Sequence, residues 1–133
     1  EAIHTCGAHR IGHGTRLFED RALMDFVNDR RIPIEICLTS NVQTRVATSY
    51  DAHPVRRYFD AGLNVVLNTD NRLMSGTTLT HEYHHPACAL RFTLPELGRI
   101  AMNGFESAFL PLRDRQELLT RARERLISLG VSP

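Results

Sequence analysis

His13 sits between two glycines in Gly12-His13-Gly14, and Asp70 lies in Asn68-Thr69-Asp70-Asn71. Each follows a short apolar run that reads as a strand, so each falls where a strand gives way to its loop. An imidazole and a hard carboxylate at two such loops are the types that bind zinc and polarise a water, whose pKa the metal lowers toward ~7. The glycines beside His13 let the backbone turn sharply and approach a metal or ligand closely. Taken singly, a strand-end His or a loop Asp is more often a hydrogen-bonded structural residue. The pair alone therefore supports no more than the class of metal-dependent hydrolases.

A second pattern competes for the metal. His81-Glu82-Tyr83-His84-His85 satisfies the HExxH form of zinc peptidases, in which a helix presents two imidazoles one turn apart with a glutamate as base. Pro86 argues against it, because the residue before a proline is pushed out of helical geometry and that residue is His85. Glu106 offers itself as a distant third ligand, but no other feature of a metallopeptidase is present.

The elements that position these residues alternate. His9-Arg10-Ile11-Gly12, Ile32 to Leu38 and Asn64-Val65-Val66-Leu67-Asn68 read as strands. Between them, a helix is expected from about Glu19 to Asp29. A second is expected to be capped by Asp51 and to run through Tyr58 and Phe59 to a stop at Gly62. Leu38-Thr39-Ser40-Asn41 reads equally well as a pocket rim or as a helix cap at Ser40 or Asn41. Thr93-Leu94-Pro95-Glu96 has capping-box spacing and starts a helix through Ile100 and Met102. Pro111 opens the last helix, whose Leu118, Leu119, Ala122, Leu126 and Ile127 form an apolar stripe expected to pack in the core. Residues 1–6 read as the end of a helix already under way.

Strand and helix in alternation predict an α/β fold with a parallel sheet and its helices outside. Residues 1–133 read as one piece of a single domain, since no repeat, linker or low-complexity tract divides them. Three strands cannot close a barrel, so both edges of this sheet are expected to be open and the isolated piece to be sticky.

Composition narrows the partners. Sixteen basic residues, all Arg, balance fifteen acidic ones for a net charge of +1, with no basic block interleaved with aromatics. Nucleic acid is not an expected partner. No apolar run approaches the ~20 residues that cross a bilayer, so no membrane association is expected. Cys6, Cys37 and Cys88 are odd in number and far apart, which predicts neither a disulfide framework nor a thiolate zinc site, and a reducing, cytoplasmic setting.

Four blocks in order make the reading more specific: Arg10-Ile11-Gly12-His13-Gly14, Glu35-Ile36-Cys37-Leu38-Thr39-Ser40-Asn41, Asn68-Thr69-Asp70-Asn71 and Gly76-Thr77-Thr78-Leu79-Thr80-His81-Glu82-Tyr83. With Asn103 and Ser107-Ala108-Phe109-Leu110-Pro111 behind them, they resemble the C-terminal portion of the adenosine deaminase family of metal-dependent amidohydrolases. The resemblance implies about the last three strands of a (β/α)8 barrel with their helices and a helical tail. It implies a zinc-dependent hydrolytic deamination of adenosine or deoxyadenosine to inosine and ammonia, as in purine salvage, with adenine deaminase as the neighbouring alternative.

Residue by residue, His13 resembles the histidine that orients and helps deprotonate the attacking water, and Asp70 resembles the zinc-ligating aspartate. Asn71 stands where many members carry a second aspartate beside the purine N7. An amide donates there without taking up a proton, so Asn71 is the candidate substrate-binding residue. The resemblance places the other zinc ligands and the general-acid glutamate upstream of this chain. The expected partners are a small-molecule purine nucleoside and the remainder of the barrel, and residues 1–133 alone are expected to be inactive.

Overall fold

The computed structural model describes residues 3–132. Three short strands, β1 (Ile11–Gly12), β2 (Ile34–Ile36) and β3 (Val65–Leu67), form one sheet in the order β1-β2-β3. Both pairings are parallel, with Ile11 opposite Ile34 and Glu35 opposite Val66. The strands lie within the stretches expected from the sequence: β1 ends at Gly12 as expected and is shorter only at its start, while β2 and β3 are shorter at both ends.

Alternation along the strands assigns the two faces of the sheet. Ile34, Ile36 and Val65 are fully buried in one cluster with Val27, Val55, Tyr58 and Ile100 from the helices. Glu35 and Val66 fall on the opposite face, where the Arg10 guanidinium pairs with Glu35 at 3.0 Å. The core is thus a layer between the sheet and its helices, and Glu35 with the buried Val66 belongs to the other side.

Helix α1 (Arg21–Asp29) follows a 3-10 turn at Leu17–Glu19 and is capped by Asp20, whose carboxylate accepts from the Leu23 amide. Helix α2 (Leu38–Gln43) starts directly at the end of β2. Its N-cap is Cys37 without a side-chain bond, so neither Ser40 nor Asn41 is a cap; both are buried inside the helix. Helix α3 (Val55–Asp60) corrects another expectation, because its N-cap is Pro54 and not Asp51. The proline's φ of −68° is already helical, and Asp51 turns onto Ser49 and nearby amides, which hold its carboxyl below the usual range.

A short helix, α4 (Arg72–Ser75), is capped by Asn71, and α5 (Leu79–Ala89) is capped by Thr78. Pro86 lies inside α5, so His85 stays helical, contrary to the expectation. The ring is buried, and the Pro86 carbonyl accepts from both Leu90 and Phe92 amides, which hold the turn beyond it closed. Helix α6 (Leu94–Glu106) has the full capping box between Thr93 and Glu96. Glu96 also pairs with Arg56 at 2.7 Å, tying α3 to α6.

Helix α7 (Leu112–Ser128) contains no buried residue. Leu118, Leu119, Ala122 and Leu126 are half-buried and Ile127 is exposed, so the predicted stripe meets α6 on one flank without entering the core. The helix end read at residues 1–6 falls partly outside the described residues, and residues 3–6 form turns.

The two sheet edges differ. Helix α6 packs along β3, and Asn103 Nδ2 donates to the Val65 carbonyl at 3.0 Å, filling one acceptor on its outer edge. The edge of β1 is bordered by an apolar groove of about 520 Å³ between Ile3, Ile11, Leu17 and Leu23, with His13 at its wall.

Candidate active site

The loops after the three strands meet at one end of the sheet. His13 leaves β1, Ser40 and Asn41 lie in the first turns after β2, and Asp70 leaves β3. Because β2 is the middle strand, its two polar residues stand between the candidates on either side. The result is a continuous set of contacts.

His13 Nε2 lies 3.9 Å from Asp70 Oδ2, with both side chains a little under half exposed. Ser40 Oγ donates to the same Asp70 oxygen at 2.7 Å. That hydroxyl, first, and the Asn71 amide hold the Asp70 carboxyl below the usual carboxylate range, with His13 adding a smaller effect. Asp70 is therefore an acceptor at neutral pH, aimed by a neighbour that only donates to it.

Backbone geometry marks the same two residues. His13 and Asp70 have φ of 61° and 56°. Arg31, Arg45 and Arg91 also have positive φ, but each directly follows the C-cap of a helix, where left-handed geometry is the usual exit. Away from helix ends such a conformation costs about 1–3 kcal/mol in a non-glycine residue and concentrates at functional sites. For His13 it also breaks the strand's alternation, which would otherwise send the imidazole into the core beside Ile11.

Behind His13 the contacts continue inward. Its Nδ1 is 2.9 Å from Asn41 Oδ1, and Asn41 Nδ2 is 2.9 Å from His53 Nε2. Asn41 and His53 are almost fully buried. Burial pushes the His53 imidazole down to about 4, so it is neutral at pH 7. The sequence offered Ser40 and Asn41 as a pocket rim or a helix cap, without their links to Asp70 and His13, and gave His53 no part in a site. The signal was available for the first two, as polar residues immediately after a strand in a parallel sheet; His53 had none beyond preceding Pro54.

Asn71 lies beside Asp70 at the surface, and its side-chain oxygen accepts from the Leu73 and Met74 amides. Its Nδ2 remains the group that can donate to a ligand. The structure thus gives Asn71 a capping role that the sequence did not foresee.

The HExxH residues do not converge. Glu82 is fully buried and accepts from the Thr77 hydroxyl at 2.9 Å and the Thr39 amide at 3.3 Å, tying α5 to α2. His85 stacks on Tyr50 at 3.9 Å, and His81 is exposed. Glu82 therefore serves packing between helices, away from water. Among the described residues no three His, Cys, Asp or Glu side chains come together as a metal site. Cys37 offers no ligand either: burial, then the charges of Asp70 and Glu82, push its thiol up to about 12.

The chemistry of the donors still suits a shared metal. Asp70 presents an ionised oxygen and His13 an imidazole on the same side of the loops, which is part of a catalytic zinc site and not the whole of one.

Comparison with known proteins follows the same outline. The adenosine deaminase family model matches residues 1–125. An adenosine deaminase from Aliivibrio fischeri is 41% identical over 125 residues, covering 94% of this chain and 38% of that protein. Among solved structures, an adenine deaminase from Arthrobacter aurescens superposes with a TM-score of 0.90 at 28% identity, over 95% of this chain and 38% of that one. The N6-methyl-AMP deaminase of Arabidopsis thaliana superposes with a TM-score of 0.77 at 29% identity, over 87% and 34% of the two chains. The chain spans less than two fifths of the length of these relatives. Its fold is the C-terminal part of a (β/α)8 barrel.

Proposed function

Because the chain belongs to the adenosine deaminase family, we propose that it supplies one side of a hydrolytic deaminase site acting on adenosine and deoxyadenosine. The observation behind this reading is the approach of His13 and Asp70 to 3.9 Å from strands two apart, each turned by a left-handed backbone residue. Residues 1–133 form a portion of one barrel domain, and the rest of the barrel is the partner that completes the site.

In this reading Asp70 helps to hold a zinc ion whose other ligands lie outside this chain. When bound, the ion supplies the Lewis acidity that makes water nucleophilic at neutral pH. Ser40 and the Asn71 amide keep Asp70 ionised and aimed. His13 orients the attacking water and takes part in moving its proton, and Asn71 Nδ2 donates to the purine. Deamination of adenosine at C6 yields inosine and ammonia, a reaction of purine salvage.

Adenine is the second substrate to consider, because the adenine deaminase superposes at a TM-score of 0.90. The 41% identity to an adenosine deaminase favours the nucleoside. Following loss of the adenine chromophore with each substrate, in the complete barrel protein, separates the two. In that protein Asp70→Ala is expected to abolish turnover and release zinc, while His81→Ala keeps both. The reverse pattern moves the metal to α5 and overturns the assignment.

A further inference from the structure

His53 is a buried histidine that no step above uses, and its two nitrogens meet partners of different kinds. Nδ1 is 3.1 Å from the Val55 amide. That N–H belongs to the first turn of α3 and has no carbonyl partner within the helix, so it can only donate, and Nδ1 must accept. A neutral imidazole has one proton. It therefore lies on Nε2, the nitrogen that faces Asn41 at 2.9 Å.

The consequence passes through Asn41. A side-chain amide can be turned end for end without changing its outline, so its oxygen and nitrogen are assigned from the partners. With His53 Nε2 donating, the Asn41 oxygen must face His53 and its NH2 must face His13. The amide as placed, with Oδ1 toward His13 and Nδ2 toward His53, gives His53 two accepting nitrogens and nowhere for its proton, so the amide is turned over. His13 Nδ1, 2.9 Å from Asn41, then accepts. A neutral His13 thus has its proton on Nε2, the nitrogen that looks toward Asp70.

We propose that His53 and Asn41 are positioning residues that fix His13 as its Nε2–H tautomer, so that His13 faces the reaction as a hydrogen-bond donor and Asp70 is the acceptor beside it. This rests on the deaminase reading for its catalytic meaning, although the order of protons follows from the contacts alone. It divides the work of the two site residues. The imidazole grips an oxygen through N–H, and the carboxylate beside it, aimed by Ser40 at 2.7 Å, is the hydrogen-bond acceptor. His53 itself is burial-locked in the neutral state that the relay requires.

The test is nitrogen NMR of histidine-labelled complete barrel protein, with zinc content and adenosine turnover measured on the same samples. In the unmodified protein both His53 and His13 are expected to show the proton on Nε2. Asn41→Asp replaces the donor facing His13 by an acceptor, so His13 is expected to switch to Nδ1–H, with kcat falling roughly 10–100-fold and zinc content and KM little changed. Asn41→Ser, smaller and neutral, is the companion should the buried carboxylate prevent folding, and a mixture of His13 tautomers is expected there. An Nδ1–H His13 in the unmodified protein, or a tautomer indifferent to residue 41, overturns the proposal. Absence of turnover on any adenine-containing substrate defeats the deaminase reading separately, since the spectra of the unmodified protein do not depend on it.

Discussion

At the scale of single residues, Ser40 and His53 show how Asp70 and His13 are held by side chains behind them. The Ser40 hydroxyl contributes most to keeping Asp70 ionised. Ser40→Ala in the complete protein is expected to lower deamination about 10–100-fold, the usual cost of removing a hydrogen bond that orients a metal ligand. His53 gives stability a pH dependence. The unfolded histidine takes up a proton near pH 6.5, whereas the folded one resists it until about 4. Between those values the unfolded state binds more protons, so stability falls as pH drops from 7 to 4, by up to roughly 3 kcal/mol, and this loss levels off below. Melting curves across that range should show the slope, and His53→Gln should flatten it.

At the scale of elements, short strands are fixed by what grips their ends. Gly14, φ +56°, closes the turn after His13, and a β-carbon there would lie 2.8 Å from the Ile34 side chain. Gly14→Ala is expected to cost about 1–3 kcal/mol through strain and overpacking, read as a lower denaturation midpoint, and to displace His13. Helix α6 depends on its first turn, where Thr93 and Glu96 cap each other and Glu96 reaches on to Arg56. Thr93→Ala should cost about 1 kcal/mol, the ordinary value for an N-cap, in the same measurement. Arg56, first, and the Thr93 amide hold the Glu96 carboxyl down to about 2. That ion pair therefore contributes above about pH 4.5 and is lost as pH falls toward 2.

At the scale of the whole molecule, the described residues leave apolar surface open. The groove along β1 is apolar, and Leu73, Met74 and Phe109 are each more than 70% exposed. The isolated chain is therefore expected to bind a hydrophobic dye and to melt without a cooperative transition. A monomer with a sharp melt would show that the capping of β3 by α6 suffices to close the fold. None of the described helices is long and apolar enough to cross a membrane.

The parallel α/β pattern was legible in the sequence because apolar alternation and helix caps are local: the strands at 11–12, 34–36 and 65–67 and the box at Thr93 needed only neighbours along the chain. His13 and Asp70 were legible as strand-end residues beside glycine or within a polar turn. Their meeting across β2 was not, nor were the links through Ser40, Asn41 and His53, because these join residues 28 and 30 positions apart, or bury a histidine that no local pattern distinguishes. Pro86 misled for the same reason, and the inward packing of Glu82 was equally out of reach. A proline in a helix and a glutamate in a metal motif have strong local preferences, and tertiary contacts decided that the helix continues and that the carboxylate packs inward. Sequence fixes what each segment prefers; only the folded chain determines which donors face which acceptors, and that choice sets the proton on His13.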